Sequence, residues 1–159
     1  MTGFIARGKL IFCTFQEADM SDQQIQHRVV IVDDDTEKIR QAEDMVFYIF
    51  GEAAEIYMEY LRPDESRNKL GIVDAIQARD PTILILDDRL AQAIYEEING
   101  LEIARLMRLW DPALQIIIFS PRVVVTEIRQ HYQEGATTQL FASDKDELRR
   151  ILTMIEDGQ

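Results

Sequence analysis

The sequence predicts an α/β fold, a doubly wound five-stranded parallel sheet with helices on both faces. Three observations lead there. From residue 28 onward, strand-like and helix-like segments alternate five times. Three of the strand-like segments are continuous apolar runs: Arg28-Val-Val-Ile-Val32, Ile83-Leu-Ile-Leu86 and Gln115-Ile-Ile-Ile-Phe119. Such runs are too short for helices and read as strands buried on both faces. Each run then stops at a polar side chain, Asp33, Asp87 or Ser120. In this class of fold, chemistry sits just beyond the carboxyl ends of the strands.

Taken in order, the first run ends in Asp33-Asp34-Asp35-Thr36, and a helix follows at once. Ile39, Ala42, Met45, Val46 and Ile49 recur at helical spacing, and Gly51 supplies the stop. Residues 55–61 have the mixed character of a second strand, and residues 62–68 form a charged, proline-containing loop. Leu70, Val73 and Ile76 mark one face of a short helix, closed by Asp80-Pro81 before the strand that ends in Asp87. Leu90, Ile94 and Ile98 then sit four apart, as on a surface helix, with Asn99-Gly100 as its terminator or a turn. This 90–99 insertion is either a plain surface helix or a lid over the acidic pocket.

A helix carrying Leu101, Ala104 and Met107 runs to Asp111-Pro112. After the strand ending in Ser120, Val125, Ile128 and Tyr132 mark a helix that Gly135 ends, and Thr138-Gln-Leu-Phe-Ala142 is a weaker strand. In the last helix, Leu148, Ile151, Leu152 and Ile155 form one stripe, and Asp144-x-x-Glu147 resembles a capping box. Residues 1–26 do not fit the alternation. They are expected to be an N-terminal extension, peripheral or disordered, with an added edge strand over residues 9–15 as the alternative; residues 27–159 form the domain.

Composition narrows the function. The 159 residues are about one domain's worth, 47% hydrophobic and 29% charged. A net charge of −12, from 29 acidic against 17 basic side chains, disfavours a nucleic-acid surface. Cys13 is the only cysteine, and His27 and His131 lack metal-ligand spacing, so a disulfide within the chain and a cysteine zinc site are both excluded. No apolar run approaches a membrane span, and no signal peptide is evident, which makes the cytoplasm the expected location.

A parallel sheet brings its carboxyl ends to one edge, so acids distant in sequence converge. Two carboxylates about 5 Å apart repel by roughly 3 kcal/mol at an effective dielectric of 20. Several together invite a hard divalent cation, and oxygen-only ligands suit Mg²⁺. A carboxylate is itself a competent phosphoryl acceptor. Each residue also has a plainer reading: Asp34 or Asp35 as a helix cap, Asp87-Asp88 as turn residues, Ser120 as a backbone partner. Three acids in a row exceed what one cap needs.

The order Val32-Asp33-Asp34, Ile85-Leu86-Asp87, Phe119-Ser120, Gly135-Ala136 and Asp146-Glu147-Leu148 resembles the receiver domain of two-component response regulators, from residue 28 to about 155. That resemblance implies a flavodoxin-like (CheY-like) three-layer sandwich. It implies Asp87 as phosphoacceptor and Mg²⁺ held by Asp33, Asp34, Asp87 and the backbone carbonyl of Arg89. It also implies Ser120 as the phosphoryl-binding switch residue. The implied partners are a histidine kinase or phosphotransfer protein and a downstream protein, with no nucleic acid or membrane; a homodimer through the fourth and fifth helices is a family-level option. The chain ends after the fifth helix, which suggests a stand-alone signalling protein and not an enzyme.

Three features depart from the family. The lysine expected at the end of the fifth strand falls on Ala142, with Lys145 eligible only in a shifted register, and the aromatic switch position falls on Gln139. The loop after Asp87 carries the 90–99 insertion. One alternative is therefore a pseudo-receiver, a binding module that is not phosphorylated. Another is a phosphatase of the haloacid-dehalogenase kind, whose Asp-x-Asp strand Asp33-Asp34-Asp35 imitates; there the Ser/Thr strand precedes the acidic pair, whereas Ser120 follows it.

Overall fold

The computed structural model describes residues 26–62, 68–92, 97–120 and 140–158. Its elements are β1 (His27–Asp33), α1 (Thr36–Phe50), β2 (Ala54–Tyr60), α2 (Lys69–Gln77), β3 (Ile83–Leu86), β4 (Arg89–Gln92), β5 (Glu97–Asn99), α3 (Gly100–Trp110), β6 (Gln115–Phe119), β7 (Leu140–Ala142) and α4 (Lys145–Glu156). Five strands form one sheet in the order β2-β1-β3-β6-β7, every neighbouring pair parallel. The expected doubly wound sheet is present. Its order reverses beside β1, because the chain goes out to β2 and returns to β3 on the other side. A crevice opens at such a point.

Side-chain alternation along the strands divides the apolar residues between two cores. Val30, Val32, Leu84, Leu86, Ile116 and Ile118 face Ile72, Val73 and Ile76 of α2 and Ile103, Ala104 and Met107 of α3. Val29, Ile31, Ile83, Ile85, Ile117 and Phe119 face Ile39, Ala42 and Val46 of α1 and Leu148 and Leu152 of α4. Strands covered on both faces need apolar side chains at every position, which is why β1, β3 and β6 lack a polar alternation. Each such Ile or Leu contributes roughly 1.5–3 kcal/mol by burial.

The helices begin where side chains satisfy free N–H groups. Asp35 caps α1 by accepting from the Glu37 amide at 2.9 Å, and Asn68 caps α2 through the Gly71 amide at 2.8 Å. Asp144 caps α4 through the Glu147 amide at 2.9 Å. Glu147 reaches back to Ser143, accepting from its backbone N–H at 2.8 Å and its hydroxyl at 2.9 Å. The reciprocal half of the expected capping box is thus displaced by one residue.

The insertion after Asp87 differs from the expected helix. It is a two-stranded antiparallel hairpin, β4 with β5, pairing Arg89 with Asn99, Ala91 with Ile98 and Gln92 with Glu97. Leu90 lies in β4 and Ile98 in β5, with Ile94 outside the described residues, so the spacing of four runs across a reversal of the chain and not along one element. Leu90 anchors the hairpin, fully buried in the core beneath α2 and α3. Asn99-Gly100 also has the opposite role to the one expected. Asn99 starts α3, accepting from the Leu101 amide at 2.8 Å. Residues 1–25 of the N-terminal extension, the helix marked by Val125, Ile128 and Tyr132, and Gln139 lie outside the described residues.

Candidate functional site

Strand register sets out the site. Val32 pairs with Leu86, and Leu86 with Ile118. Asp33, Asp87 and Phe119 therefore come next on one level across the carboxyl edge. Phe119 pairs in turn with Ala142, which places that residue at the strand end on the same level. By alternation with Ile31 and Ile85, Asp33 and Asp87 belong to the α1 side of the sheet. Close approach behind Asp87 is permitted by Gly100, where an added Cβ would lie 1.8 Å from the Asp87 carbonyl oxygen. The Gly100 amide donates to the Asp88 carbonyl at 2.7 Å, tying α3 to the end of β3.

Asp33, Asp34 and Asp87 each offer a carboxylate oxygen within 4.8 Å of the others. Asp33 and Asp87 are buried, and Asp34 is exposed. One acid thus faces solvent while two lie in the crevice. Asp33 also accepts from the Asp35 backbone N–H at 2.8 Å, so the carboxylate that opens the site shapes the turn into α1. The plain reading of Asp35 as a cap is correct, which leaves Asp33 and Asp34 free of that role.

Lys38, in the first turn of α1, donates to Asp87 Oδ2 at 3.0 Å, and its Nζ lies 3.9 Å from Asp33 Oδ2. Sequence reasoning missed it. A signal was present, because a cation in the first turn opposes the helix dipole and acids nearby must compensate it. The gross Lys38–Asp87 attraction is roughly 5 kcal/mol at an effective dielectric of 20, much of it returned as the cost of desolvating both groups.

Burial pushes the Asp33 carboxyl up to about 7, against the pull of the Asp35 N–H and of Lys38, while the charges on Asp87 and Asp34 push it further. Burial likewise raises Asp87, held back by the hydrogen bond from Lys38. Burial acts to lower Lys38, but Asp33 and Asp87 outweigh it and hold the ammonium above its ordinary value. Two buried acids with elevated proton affinity beside a third carboxylate make an electron-rich, oxygen-only donor set. That set suits Mg²⁺, which is bound through a few carboxylates and keeps several waters.

Ser120 is buried at the end of β6, its amide donating to the Ala142 carbonyl at 3.1 Å. Its hydroxyl donates to Asp88 Oδ1 at 2.5 Å, and its hydrogen bonding also helps to hold back the rise at Asp87. Asp88, read from sequence as a turn residue, is therefore a buried acceptor that holds the serine. Asp87 Oδ1 accepts from the Asp88 amide at 2.9 Å, which leaves Oδ2 to Lys38. Arg89 opens β4, with its side chain exposed and its Nε 3.7 Å from Asp88 Oδ2. Ala142 is fully buried on the α1 and α4 side, and Lys145 is exposed at the start of α4.

No family model matches the sequence, and no curated protein does. Solved structures do. The apo receiver domain of nitrogen regulatory protein C is 20% identical, with 85% of this chain and 98% of that one covered and a TM-score of 0.59. The isolated receiver domain of RcsB from Salmonella enterica serovar Typhimurium, solved with the phosphomimetic BeF₃⁻, is 16% identical over 84% of this chain and 90% of that one, with a TM-score of 0.54. The anti-anti-sigma factor PhyR from Bartonella quintana is 16% identical over 86% of this chain but only 50% of its own, with a TM-score of 0.55. Identity this low speaks to fold alone, and on the fold the structures agree: the chain has the architecture of a response-regulator receiver domain.

Proposed function

We propose that this chain is a receiver that accepts a phosphoryl group on Asp87 and signals through protein–protein contacts. The observation that carries the reading is the convergence of Asp33, Asp34 and Asp87 at the switch point of the sheet, with Asp87 at the end of β3. Asp33, Asp34, Asp87 and the Arg89 backbone carbonyl would hold Mg²⁺, which would offset charge on the incoming phosphoryl oxygens. An Asp87 oxygen forms the bond to phosphorus as the bond from phosphorus to the donor breaks. With a phosphohistidine donor, the imidazole nitrogen leaves with the electron pair and takes up a proton. The net charge of −12 favours basic partner surfaces over nucleic acid. Among the described residues no helix is long and apolar enough to cross a membrane.

The pseudo-receiver reading keeps one observation of its own. Ser120 is engaged by Asp88, and Ala142 offers only a methyl group at the end of β7. An amide-shift titration with Mg²⁺ and beryllofluoride separates the two, run on the wild-type chain and Asp87→Asn. The phosphoacceptor reading expects Mg²⁺-dependent shifts at the ends of β1, β3 and β6 that the variant lacks. Identical spectra from both proteins would leave the binding module. Turnover of a phosphomonoester that disappears in Asp33→Asn would favour the phosphatase instead.

A further inference from the structure

We propose that Lys38 is the phosphoryl-binding cation of this site, carried by the first turn of α1 in place of a cation at the end of β7. The inference rests on Asp87 being the acceptor, and it assigns that site a residue which strand-end positions alone do not supply.

Geometry provides the case. At the end of β7, Ala142 lies on the level of Asp87, two strands away, which is about 10 Å at ordinary strand spacing. It is fully buried and has no polar side-chain atom. Its pairing with Phe119 fixes it as the strand end, so Lys145 comes three residues later, beyond the Asp144 cap and exposed on α4. Lys38 approaches from the opposite side. Alternation along β1 and β3 puts Asp33 and Asp87 beneath α1, and Lys38 reaches both, at 3.9 Å and 3.0 Å.

Its contact is with Oδ2, while Oδ1 is taken by the Asp88 amide. Phosphorylation at Oδ2 puts the new oxygens directly under the ammonium. An ammonium has three donors and needs no fixed plane, so it can follow the charge from the carboxylate onto a phosphoryl oxygen. The α1 dipole disfavours a cation at this end of the helix, and the carboxylates of Asp33 and Asp87 at 3.9 Å and 3.0 Å oppose that cost. Lys38 keeps partial access to solvent, with its side chain 24% exposed. An entering group can therefore meet it.

The test compares wild-type, Lys38→Gln, Lys38→Arg and Asp87→Asn proteins. Mg²⁺ affinity is measured alone, then beryllofluoride affinity at saturating Mg²⁺, with thermal melts to verify folding. Loss of a charge-assisted hydrogen bond predicts beryllofluoride binding weakened about tenfold or more in Lys38→Gln, with partial recovery in Lys38→Arg. Mg²⁺ binding by Lys38→Gln should be equal or tighter, because a repelling ammonium has been removed from the metal's ligands. A purely structural role would weaken both. Beryllofluoride affinity in Lys38→Gln within about twofold of wild type overturns the assignment while the acceptor reading stands. So does equal loss in Lys38→Gln and Lys38→Arg, or loss of Mg²⁺ affinity in Lys38→Gln. No Mg²⁺-dependent response from the wild-type protein, or the same response from Asp87→Asn, overturns the acceptor reading and Lys38's role with it.

Discussion

Replacing Gly100 with alanine tests how tightly the site is built into the fold. The added Cβ would lie 1.8 Å from the Asp87 carbonyl oxygen, 2.8 Å from Leu86 Cδ1 and 2.9 Å from the Asp87 carbonyl carbon. Roughly 1.5 Å of movement is needed before the closest pair reaches an ordinary contact distance. Neither side yields easily. The Asp87 amide is tied to the Val32 carbonyl at 3.3 Å, and the start of α3 is held by the Asn99 cap and by the 2.7 Å bond from Gly100 to Asp88. A clash with backbone belongs at the upper end of overpacking costs, about 3 kcal/mol, which for a domain of this size lowers Tm by roughly 10 °C. Moving the Asp87 backbone should also weaken Mg²⁺ binding.

Gly71→Ala is the internal control. Its Cβ would meet only Asn68 Oδ1, at an ordinary 3.4 Å, inside α2. Helix propensity then favours alanine by up to about 1 kcal/mol. Chemical denaturation followed by circular dichroism reads both variants. If Gly100→Ala lost less than about 0.5 kcal/mol, the close approach of α3 to Asp87 would be wrong.

Two further predictions concern the acids. Because Asp33 is raised from 3.8 to about 7 on folding, the native protein binds more protons than the unfolded chain between those values. Its contribution therefore makes the metal-free protein less stable as pH rises through that window. Thermal melts across the window should show a slope that Asp33→Asn flattens and Mg²⁺ reduces; a slope unchanged in Asp33→Asn would refute the assignment. Ser120→Ala removes the donor to buried Asp88 and should cost about 1.5–3 kcal/mol in urea denaturation. A neutral result would show that Asp88 does not depend on the serine.

Much of the fold is legible from short-range chemistry. Val29 to Val32, Ile83 to Leu86 and Ile116 to Phe119 are apolar at every position, which only a strand covered on both faces requires, and the carboxyl-edge acids follow from where those runs stop. Asp144 and Glu147 announce their helix because capping is local. The hairpin was not legible, since the apolar spacing of four spans two short strands that run in opposite directions, and Asn99 serves equally at either end of a helix. Lys38 and Asp88 depend on the third dimension. Asp87-Asp88 looks like a turn until Ser120 arrives from β6, 32 residues on, and Lys38 faces Asp87 from 49 residues before it.

Intact mass reads directly whether Asp87 accepts a phosphoryl group. The protein is incubated with acetyl phosphate in Mg²⁺ and then in EDTA, beside Asp87→Asn. One added phosphoryl group is expected in the wild-type chain with Mg²⁺, on the peptide containing Asp87, and none in EDTA or in the variant. No gain in the wild-type protein, or an equal gain in Asp87→Asn, would contradict acceptance at Asp87.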